Sequence, residues 1–305
     1  MQPKRKRKRF LSCGEAIFQR SLLGILCVAV FFLYGCAAGM VTDRTSLADR
    51  IGRDGGLEKS YLKTSAFTLT AYSRSSQPGG DLNLYIEGDG TAWITPTWRS
   101  ADPSPRNPLG LKMAALDPAA NAAYLARPGQ YVAPDSSPVD PVYWSEKRFA
   151  PEVVTAMNEA IDSLKTITGT SKINLVGYSG GAAVAVLITA RRSDIISLRT
   201  VAGNLDPEAV NHYHHVSPLT GSLNPMDVAD KLKGLPQRHF VGSEDAVIPS
   251  FIAPSFVKRA GSPDGHEITV VAGASHSKGW QEQWKSLLEV PLQSPGIASK
   301  GDNVR

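Results

Sequence analysis

Apolar positions along the middle of the chain follow two alternating patterns. Short apolar runs, typical of strands, are separated by segments in which apolar residues return every three or four positions, as on one face of a helix. The predicted strands are 67–72, 82–86, 122–125, 173–178, 198–202, 238–241 and 268–271. The predicted helices are 109–116, 151–168, 180–192, 226–233, 249–259 and 279–289. This alternation predicts an α/β fold with a mostly parallel central sheet and helices on both faces.

Other stretches show neither pattern. Residues 91–108 and 127–150 are rich in Pro and contain no clear element, so we expect them to be loops that shape access to one edge of the sheet. The chain is therefore predicted to have four parts: a signal segment at 1–35, a polar tether at 36–65, a folded domain at 66–290 and a flexible tail at 291–305.

The first part has the order of an export signal. Six consecutive bases, Lys4 to Arg9, precede an apolar run over residues 21–34. A basic flank stays in the cytoplasm while the apolar segment enters the bilayer. The run counts about 14 residues before Gly35, which suits a cleaved signal, or about 21 up to Val41, which would just span a bilayer as an uncleaved anchor.

The segment Leu33-Tyr34-Gly35-Cys36 resembles the lipidation motif of bacterial lipoproteins, from which Tyr34 departs. The resemblance implies that Cys36 becomes lipid-modified and N-terminal after cleavage. Ala37 follows instead of Asp, which implies sorting to the outer membrane where the host has one. We therefore expect the domain to lie in the bacterial cell envelope, attached to a membrane by a lipid or by the uncleaved anchor.

Charge and cysteine content narrow the possible functions. The formal charge is +5, but residues 1–35 hold seven bases and one acid, which leaves 26 bases and 27 acids for the remainder. The basic character belongs to the leader, so we expect no nucleic-acid partner. All three Cys, at 13, 27 and 36, lie outside the predicted domain, which excludes a Cys nucleophile and thiolate zinc sites there.

The segment Gly177-Tyr178-Ser179-Gly180-Gly181 lies between a predicted strand and an apolar predicted helix. A nucleophile elbow needs this context, because a sharp strand-to-helix turn projects the Ser hydroxyl out of the sheet edge. The flanking glycines permit the close approach of backbone in such a turn. The helix N-terminus behind Ser179 also places the N–H of Gly180 where an oxyanion could be bound.

A base and an acid follow at the ends of later strands. Asp245 lies in a turn after the strand 238–241, and His276 follows the last strand. Catalytic groups of open α/β sheets gather at the carboxyl edge. Three apt residues thus occur at three strand ends, in the order nucleophile, acid, base.

With these motifs and the segment Tyr85–Gly90, residues 66–290 resemble an α/β-hydrolase, close to bacterial lipoproteins with a serine hydrolase domain. The resemblance implies that Ser179 is the nucleophile, Asp245 the orienting acid and His276 the general base. Glu244 and Asp206 remain alternatives for the acid. The loop Glu87-Gly-Asp-Gly90 is a variant of a His-Gly-x pattern with Glu87 in place of His, and its position assigns the N–H of Asp89 as a second oxyanion donor beside Gly180.

Several other His and Trp residues are predicted to have no direct part in the reaction. The cluster His212, His214 and His215 is expected to line or cover a pocket, and we expect neither a metal nor a cofactor. His239 is predicted to be structural. Trp93 and Trp98 are predicted either to form an apolar wall for an acyl group or to lie in the core.

These features predict a serine hydrolase that cleaves carboxylic esters, either small molecules or lipids, through an acyl-enzyme intermediate. The alternative is a non-catalytic envelope lipoprotein that uses the same fold for binding, since a fold does not establish a function.

Overall fold

An eight-stranded sheet forms the centre of this computed structural model, which describes residues 44–262 and 267–293. The predicted signal segment, Cys36 and His266 lie outside these ranges. Among the residues described, no helix has the length and apolar character needed to cross a bilayer.

The sheet has the strand order β1-β2-β6-β3-β7-β8-β9-β10, and β4 and β5 form a separate hairpin. The strands are β1 Glu58–Lys63, β2 Thr68–Ser75, β3 Leu82–Ile86, β4 Trp93–Thr95, β5 Trp98–Arg99, β6 Asn121–Leu125, β7 Ile173–Tyr178, β8 Ile195–Val201, β9 Gln237–Gly242 and β10 Ile268–Val271. The strands from β6 to β10 in this order pair in parallel, whereas β2 pairs antiparallel with both β1 and β6. The predicted mostly parallel sheet is confirmed.

Helices cover both faces of the sheet. They are α1 at 44–54, α2 Leu109–Leu116, α3 Pro151–Thr168, α4 Gly180–Thr189, α5 Pro207–Tyr213, α6 Ile252–Arg259 and α7 Trp284–Glu289, with short 3-10 helices at Pro141–Trp144 and Pro225–Leu232. One core cluster packs α3, α4 and α6 against the sheet, and a second packs α1, α2 and α7 against its other face. Side chains alternate between the two clusters, as Leu84 and Tyr85 of β3 do.

Helices α3 and α4, which precede and follow β7 in the chain, have different sequence patterns because they are buried to different extents. Every residue of α4 is buried, and its sequence is apolar on all sides. The amphipathic α3 begins with Pro151 at its first turn and ends at Gly169, which adopts the left-handed conformation with φ 66°. These two end signals are typical of helices, and the predicted range of α3 matches the structure.

The predicted tether is instead folded from residue 44 onward, which corrects the boundary at residue 66. Helix α1 packs through the small residues Ala48 and Gly52, and a Cβ on Gly52 would lie 2.6 Å from the ring of Tyr72. Strand β1 is an edge strand in which only Leu62 is fully buried. Small contact residues and a mostly polar edge strand carry little apolar periodicity, so the hydrophobic pattern did not reveal them.

Other differences concern short elements. The stretches 91–108 and 127–150 contain the β4–β5 hairpin and the 3-10 helix Pro141–Trp144, which were predicted as loops. Segment 226–233 is a 3-10 helix, and α7 begins at Trp284 rather than at residue 279. Helix α5 was not predicted, because its seven residues are too few for a clear period. At the C-terminal end, Gln293 pairs with Gln237, so the folded part extends past residue 290.

The predicted structural role of His239 is consistent with its surroundings in β9. The ring is buried, its Nδ1 lies 2.9 Å from Thr200 Oγ1, and it packs edge-on against Phe256 of α6. Burial, together with the charge of Arg238, lowers the pKa of His239 to about 3. The imidazole is therefore neutral in the folded protein near neutral pH.

This burial predicts a pH-dependent loss of stability. Below the usual pKa of 6.5, the unfolded chain binds a proton at His239 that the folded chain accepts only near pH 3. The His239 contribution to the free energy of unfolding should therefore fall by about 2 kcal/mol between pH 7 and pH 5. Urea unfolding of wild type and His239→Asn at both pH values measures this contribution. The difference between the unfolding free energies of the two proteins should be smaller at pH 5 than at pH 7. An unchanged difference would contradict the buried, neutral imidazole.

Candidate active site

Ser179 lies at a tight turn between β7 and α4. Its backbone has φ 51° and ψ −120°, a conformation that non-glycine residues adopt only where the surroundings enforce it. A Cβ on Gly177 would lie 2.5 Å from Cα of Ala182, so only glycine fits the start of the turn. The turn thus has the geometry of a nucleophile elbow.

Backbone hydrogen bonds connect this turn to the neighbouring strand. The Ser179 N–H donates to the carbonyl of Val201 at the end of β8, at 2.9 Å. The Ser179 carbonyl accepts from the N–H groups of Ala182 and Asn204, each at 3.0 Å. The strained residue is therefore held on both sides by β8 and α4, which leaves its side chain free to point out of the sheet edge.

The imidazole of His276 reaches the Ser179 hydroxyl from the loop after β10. Its Nε2 lies 3.0 Å from Ser179 Oγ. The Tyr178 hydroxyl and the Trp280 indole N–H both donate to the His276 carbonyl, at 3.1 and 3.2 Å. The Tyr178 ring also packs against the imidazole, with 5.6 Å between the ring centroids. These contacts fix both the loop and the ring.

Asp245, in the turn after β9, bonds to the other imidazole nitrogen. Its Oδ2 lies 3.0 Å from His276 Nδ1, and its Oδ1 accepts from the N–H groups of Val247 and Ile248 at 2.8 and 2.9 Å. Burial alone raises the pKa of Asp245, but the hydrogen bond and charge of His276 and the two N–H donors together hold it below 3.8. The carboxylate is therefore ionised near neutral pH and only accepts hydrogen bonds.

The two alternative acids lie elsewhere. Glu244 is exposed to solvent beside Asp245. Asp206 caps α5, where its Oδ1 accepts from the Ala209 N–H and from the Asn224 amide, both at 3.1 Å. Asp245 is thus the carboxylate that the structure brings to His276.

The two predicted oxyanion donors lie beside Ser179. Gly180 is the first residue of α4, so its N–H has no acceptor inside the helix. A Cβ on Gly88 would lie 3.2 Å from Cβ of Ser179, which places the loop after β3 directly next to the nucleophile. In the described part of the chain, neither the Gly180 N–H nor the Asp89 N–H donates to a protein acceptor. Neither N–H is therefore satisfied within the described residues, and the Asp89 carboxylate lies against Gly180, with Oδ1 2.0 Å from the place of a Cβ on that residue.

The sequence did not reveal the cations that surround Asp89. Arg148 Nη1 lies 2.8 Å and Arg127 Nη1 lies 3.4 Å from its carboxylate, and Arg127 also donates to the Arg148 carbonyl. The Arg127 side chain is only 4% exposed. Because the two arginines lie 38 and 59 residues after Asp89, no local motif could have pointed to them.

Glu87, the residue in place of His, is buried behind the same loop. Its Oε1 accepts from the N–H groups of Gly88 and Gly110, at 3.0 and 3.3 Å. Burial raises the pKa of Glu87 to about 7, against the opposing effect of these N–H donors. The side chain therefore holds the start of the loop after β3 from inside.

The structure also describes the surroundings of the other residues singled out in the sequence. A cavity of about 810 Å³ lies between α5 and residues 216–227, and His212 lines it. His214 Nε2 donates to the Val247 carbonyl at 2.7 Å, which joins α5 to the loop that carries Asp245. Trp93 and Trp98 are exposed, so the expectation that they lie in the core is wrong.

Comparisons with known proteins bear on the fold. No protein-family model matches the chain, and no curated protein matches it. Among solved structures, an esterase from Pyrococcus furiosus is 13% identical with a TM-score of 0.54, over 78% of this chain and 91% of the esterase. The α/β-hydrolase GrgF from Penicillium sp. sh18 is 12% identical with a TM-score of 0.54, over 76% of this chain and 95% of GrgF.

An acylaminoacyl peptidase from Pyrococcus horikoshii is also similar. It is 12% identical with a TM-score of 0.55, over 76% of this chain and 41% of the peptidase. At such low identity the shared feature is the arrangement of strands and helices. The chain has the α/β-hydrolase fold.

Proposed function

We propose that the chain is a serine hydrolase that cleaves carboxylic esters through an acyl-enzyme on Ser179. The observation that carries this proposal is the continuous set of hydrogen bonds from Ser179 Oγ through His276 to Asp245, at 3.0 Å for each step. The three side chains come from three different loops at the carboxyl edge of the sheet. A protein that only bound ligands would have no physical need for this alignment.

The hydrogen bonds set the direction of proton transfer. Because the Asp245 carboxylate only accepts, Nδ1 of His276 carries the proton and Nε2 of the neutral ring is free to accept one. His276 takes the Ser179 proton as the oxygen attacks the ester carbonyl, and a tetrahedral oxyanion forms. His276 then protonates the departing alcohol, and a water activated by the same base releases the acid.

The N–H groups of Gly180 and Asp89 bind the oxyanion in this proposal. Each such donor typically lowers the barrier by about 3–4 kcal/mol. A carboxylate beside the site would by itself repel the developing negative charge. Arg127 and Arg148 offset the charge of Asp89, so the loop can present its N–H without a net negative field.

Ester cleavage is the reaction class for which the comparisons give most support. The Pyrococcus furiosus protein with the same fold is an esterase. The acylaminoacyl peptidase also has this fold, so amide cleavage is the competing reaction within the same chemistry.

The proposed location follows from the leader. We place the domain in the bacterial cell envelope, attached through a lipid on Cys36 or through the uncleaved apolar segment. The neutral charge balance of residues 36–305 also favours an uncharged or lipid substrate over a nucleic acid.

Covalent labelling tests the nucleophile. A fluorophosphonate probe should label wild type and Ser163→Ala, a variant in the remote helix α3, but not Ser179→Ala. The reason is that the probe reacts only with a serine whose proton has an acceptor. Gel fluorescence and mass spectrometry of the labelled peptide provide the measurement. Folded wild type that remains unlabelled would instead favour the non-catalytic binding protein.

Paired substitutions test the acid. Asp245→Asn should lower kcat by on the order of 10⁴-fold, because an amide no longer selects the imidazole tautomer that accepts the Ser179 proton. Glu244→Gln, one residue away and exposed, should keep nearly full activity. Steady-state hydrolysis of a chromogenic ester provides the rates. Equal losses in the two variants would show that Asp245 has no special role.

A substrate series tests the reaction class. Chromogenic acyl esters of graded chain length should be hydrolysed faster than the matched anilides, since an alcohol departs with less help from His276 than an amine needs. Wild type and Ser179→Ala are compared on each compound. Faster turnover of the anilides would assign the protein to amide hydrolysis.

A further inference from the structure

Exposed apolar side chains are concentrated at the edge of the sheet that carries the Ser179 site. Of the eleven large hydrophobic residues that are exposed in the described ranges, eight lie in the segments that connect the carboxyl ends of β3, β6, β8 and β9 to the next strand of the sheet. Isolated exposed apolar residues are normal on soluble proteins, but a concentration around one opening usually marks a surface that another phase or molecule covers.

The β4–β5 hairpin forms one side of this surface. Trp93, Ile94 and Trp98 are 37%, 48% and 67% exposed. The hairpin base is ordered by backbone hydrogen bonds from Ser100 to Ala92 and from Thr91 to Pro103, each 2.9 Å. An ordered hairpin thus presents two indoles and an isoleucine to the surroundings, just after the oxyanion loop.

Exposed residues that follow β8 and β9 complete the surface. Val247 lies two residues after Asp245, and Tyr213 and Phe251 have ring centroids 6.0 Å apart. All three are exposed. We call Trp93, Ile94, Trp98, Tyr213, Val247 and Phe251 the apolar rim. Trp93, Ile94 and Trp98 follow Asp89 in the chain, Val247 and Phe251 follow Asp245, and Tyr213 of α5 packs against Phe251, so the rim flanks the reacting groups.

The chain enters the domain beside the hairpin. The Arg44 guanidinium donates to the carbonyls of Asp102 and Ser104, at 2.9 and 3.1 Å. Pro103, between these two residues, accepts the backbone bond from Thr91 at the hairpin base. Arg44 is the eighth residue after Cys36, and a fully extended chain over these eight steps spans at most about 28 Å.

We propose that the apolar rim inserts into the interface of a lipid bilayer, so that the Ser179 site opens toward the membrane and takes its acyl ester from the lipid phase. The occupant of the rim is a bilayer because only a short stretch of chain joins the predicted membrane segment to Arg44, whose guanidinium bonds to the loop after the hairpin. Trp and Tyr, which are prominent in the rim, prefer the boundary between headgroups and acyl chains. The part of the proposal that concerns an acyl ester as substrate rests on the proposed function, whereas the insertion of the rim into the bilayer does not.

Indole fluorescence tests the insertion independently of catalysis. The full chain carrying Ser179→Ala is reconstituted into phosphatidylcholine vesicles, with or without bromine on the acyl chains near the headgroups. Trp144, Trp280 and Trp284 are buried, so quenching by bromine should come from Trp93 and Trp98. The same protein with Trp93→Phe and Trp98→Phe should lose this quenching.

Three results would overturn the insertion. The first is equal emission in both vesicle types, and the second is unchanged quenching in the double Phe variant. A second copy of the chain as the occupant would give the first result together with a dimer in detergent solution. Failure of the vesicles to retain the full chain would also overturn it.

Activity tests the lipid-phase substrate. The full chain with Ile94→Ser and Trp98→Ser should show a ratio of vesicle-ester to soluble-ester hydrolysis about tenfold below wild type, because two apolar contacts with the bilayer are lost. Ile167→Ser, an equally exposed apolar residue at the end of α3, is the matched control and should keep the wild-type ratio.

The outcomes separate the two proposals. An unchanged ratio in the hairpin variant would overturn the lipid-phase substrate. Absence of hydrolysis of any ester by wild type, with fluorescence quenching intact, would instead overturn the proposed function and leave the insertion standing.

Discussion

The backbone conformation of Ser179 is the constraint on which the rest of the site depends. A non-glycine residue with positive φ costs on the order of 1–3 kcal/mol, and it persists only where its neighbours determine it. Here the parallel strand β7 fixes one end of the turn, the wholly buried helix α4 fixes the other, and β8 binds the backbone between them. The position of the hydroxyl is therefore set by the packed core and not by a flexible loop.

The parallel direction of the strands brings the other two side chains to Ser179. Because β7, β9 and β10 run the same way, the residues that follow them emerge at one edge, and a separation of 97 residues between Ser179 and His276 becomes a 3.0 Å contact. This explains why the sequence could predict that Ser179, His276 and Asp245 lie at one edge of the sheet: each follows a strand that the sequence predicted. Asp206 also follows a strand, but its carboxylate caps α5, whereas that of Asp245 bonds to His276.

The features that sequence reasoning missed share a different cause. Helix α1, strand β1 and the β4–β5 hairpin bury few large apolar side chains, so they leave no periodic pattern to recognise. Arg127 and Arg148 meet Asp89 from other loops, and pairs of this kind follow from the folded chain, not from local spacing. Glu87 was visible in its motif, but its burial and its bonds to Gly88 and Gly110 depend on how α2 packs over the loop.

The folding of residues 44–65 has a practical consequence for handling the protein. A recombinant form trimmed at residue 66 would lose β1, whose six residues all pair with β2, and with it the helix that packs on Tyr72. The trimmed sheet would then end at β2 with unpaired backbone N–H and C=O groups, an edge that other chains can extend into aggregates. A form that begins at residue 44 keeps the protective strand and lacks the predicted signal segment and residues 36–43.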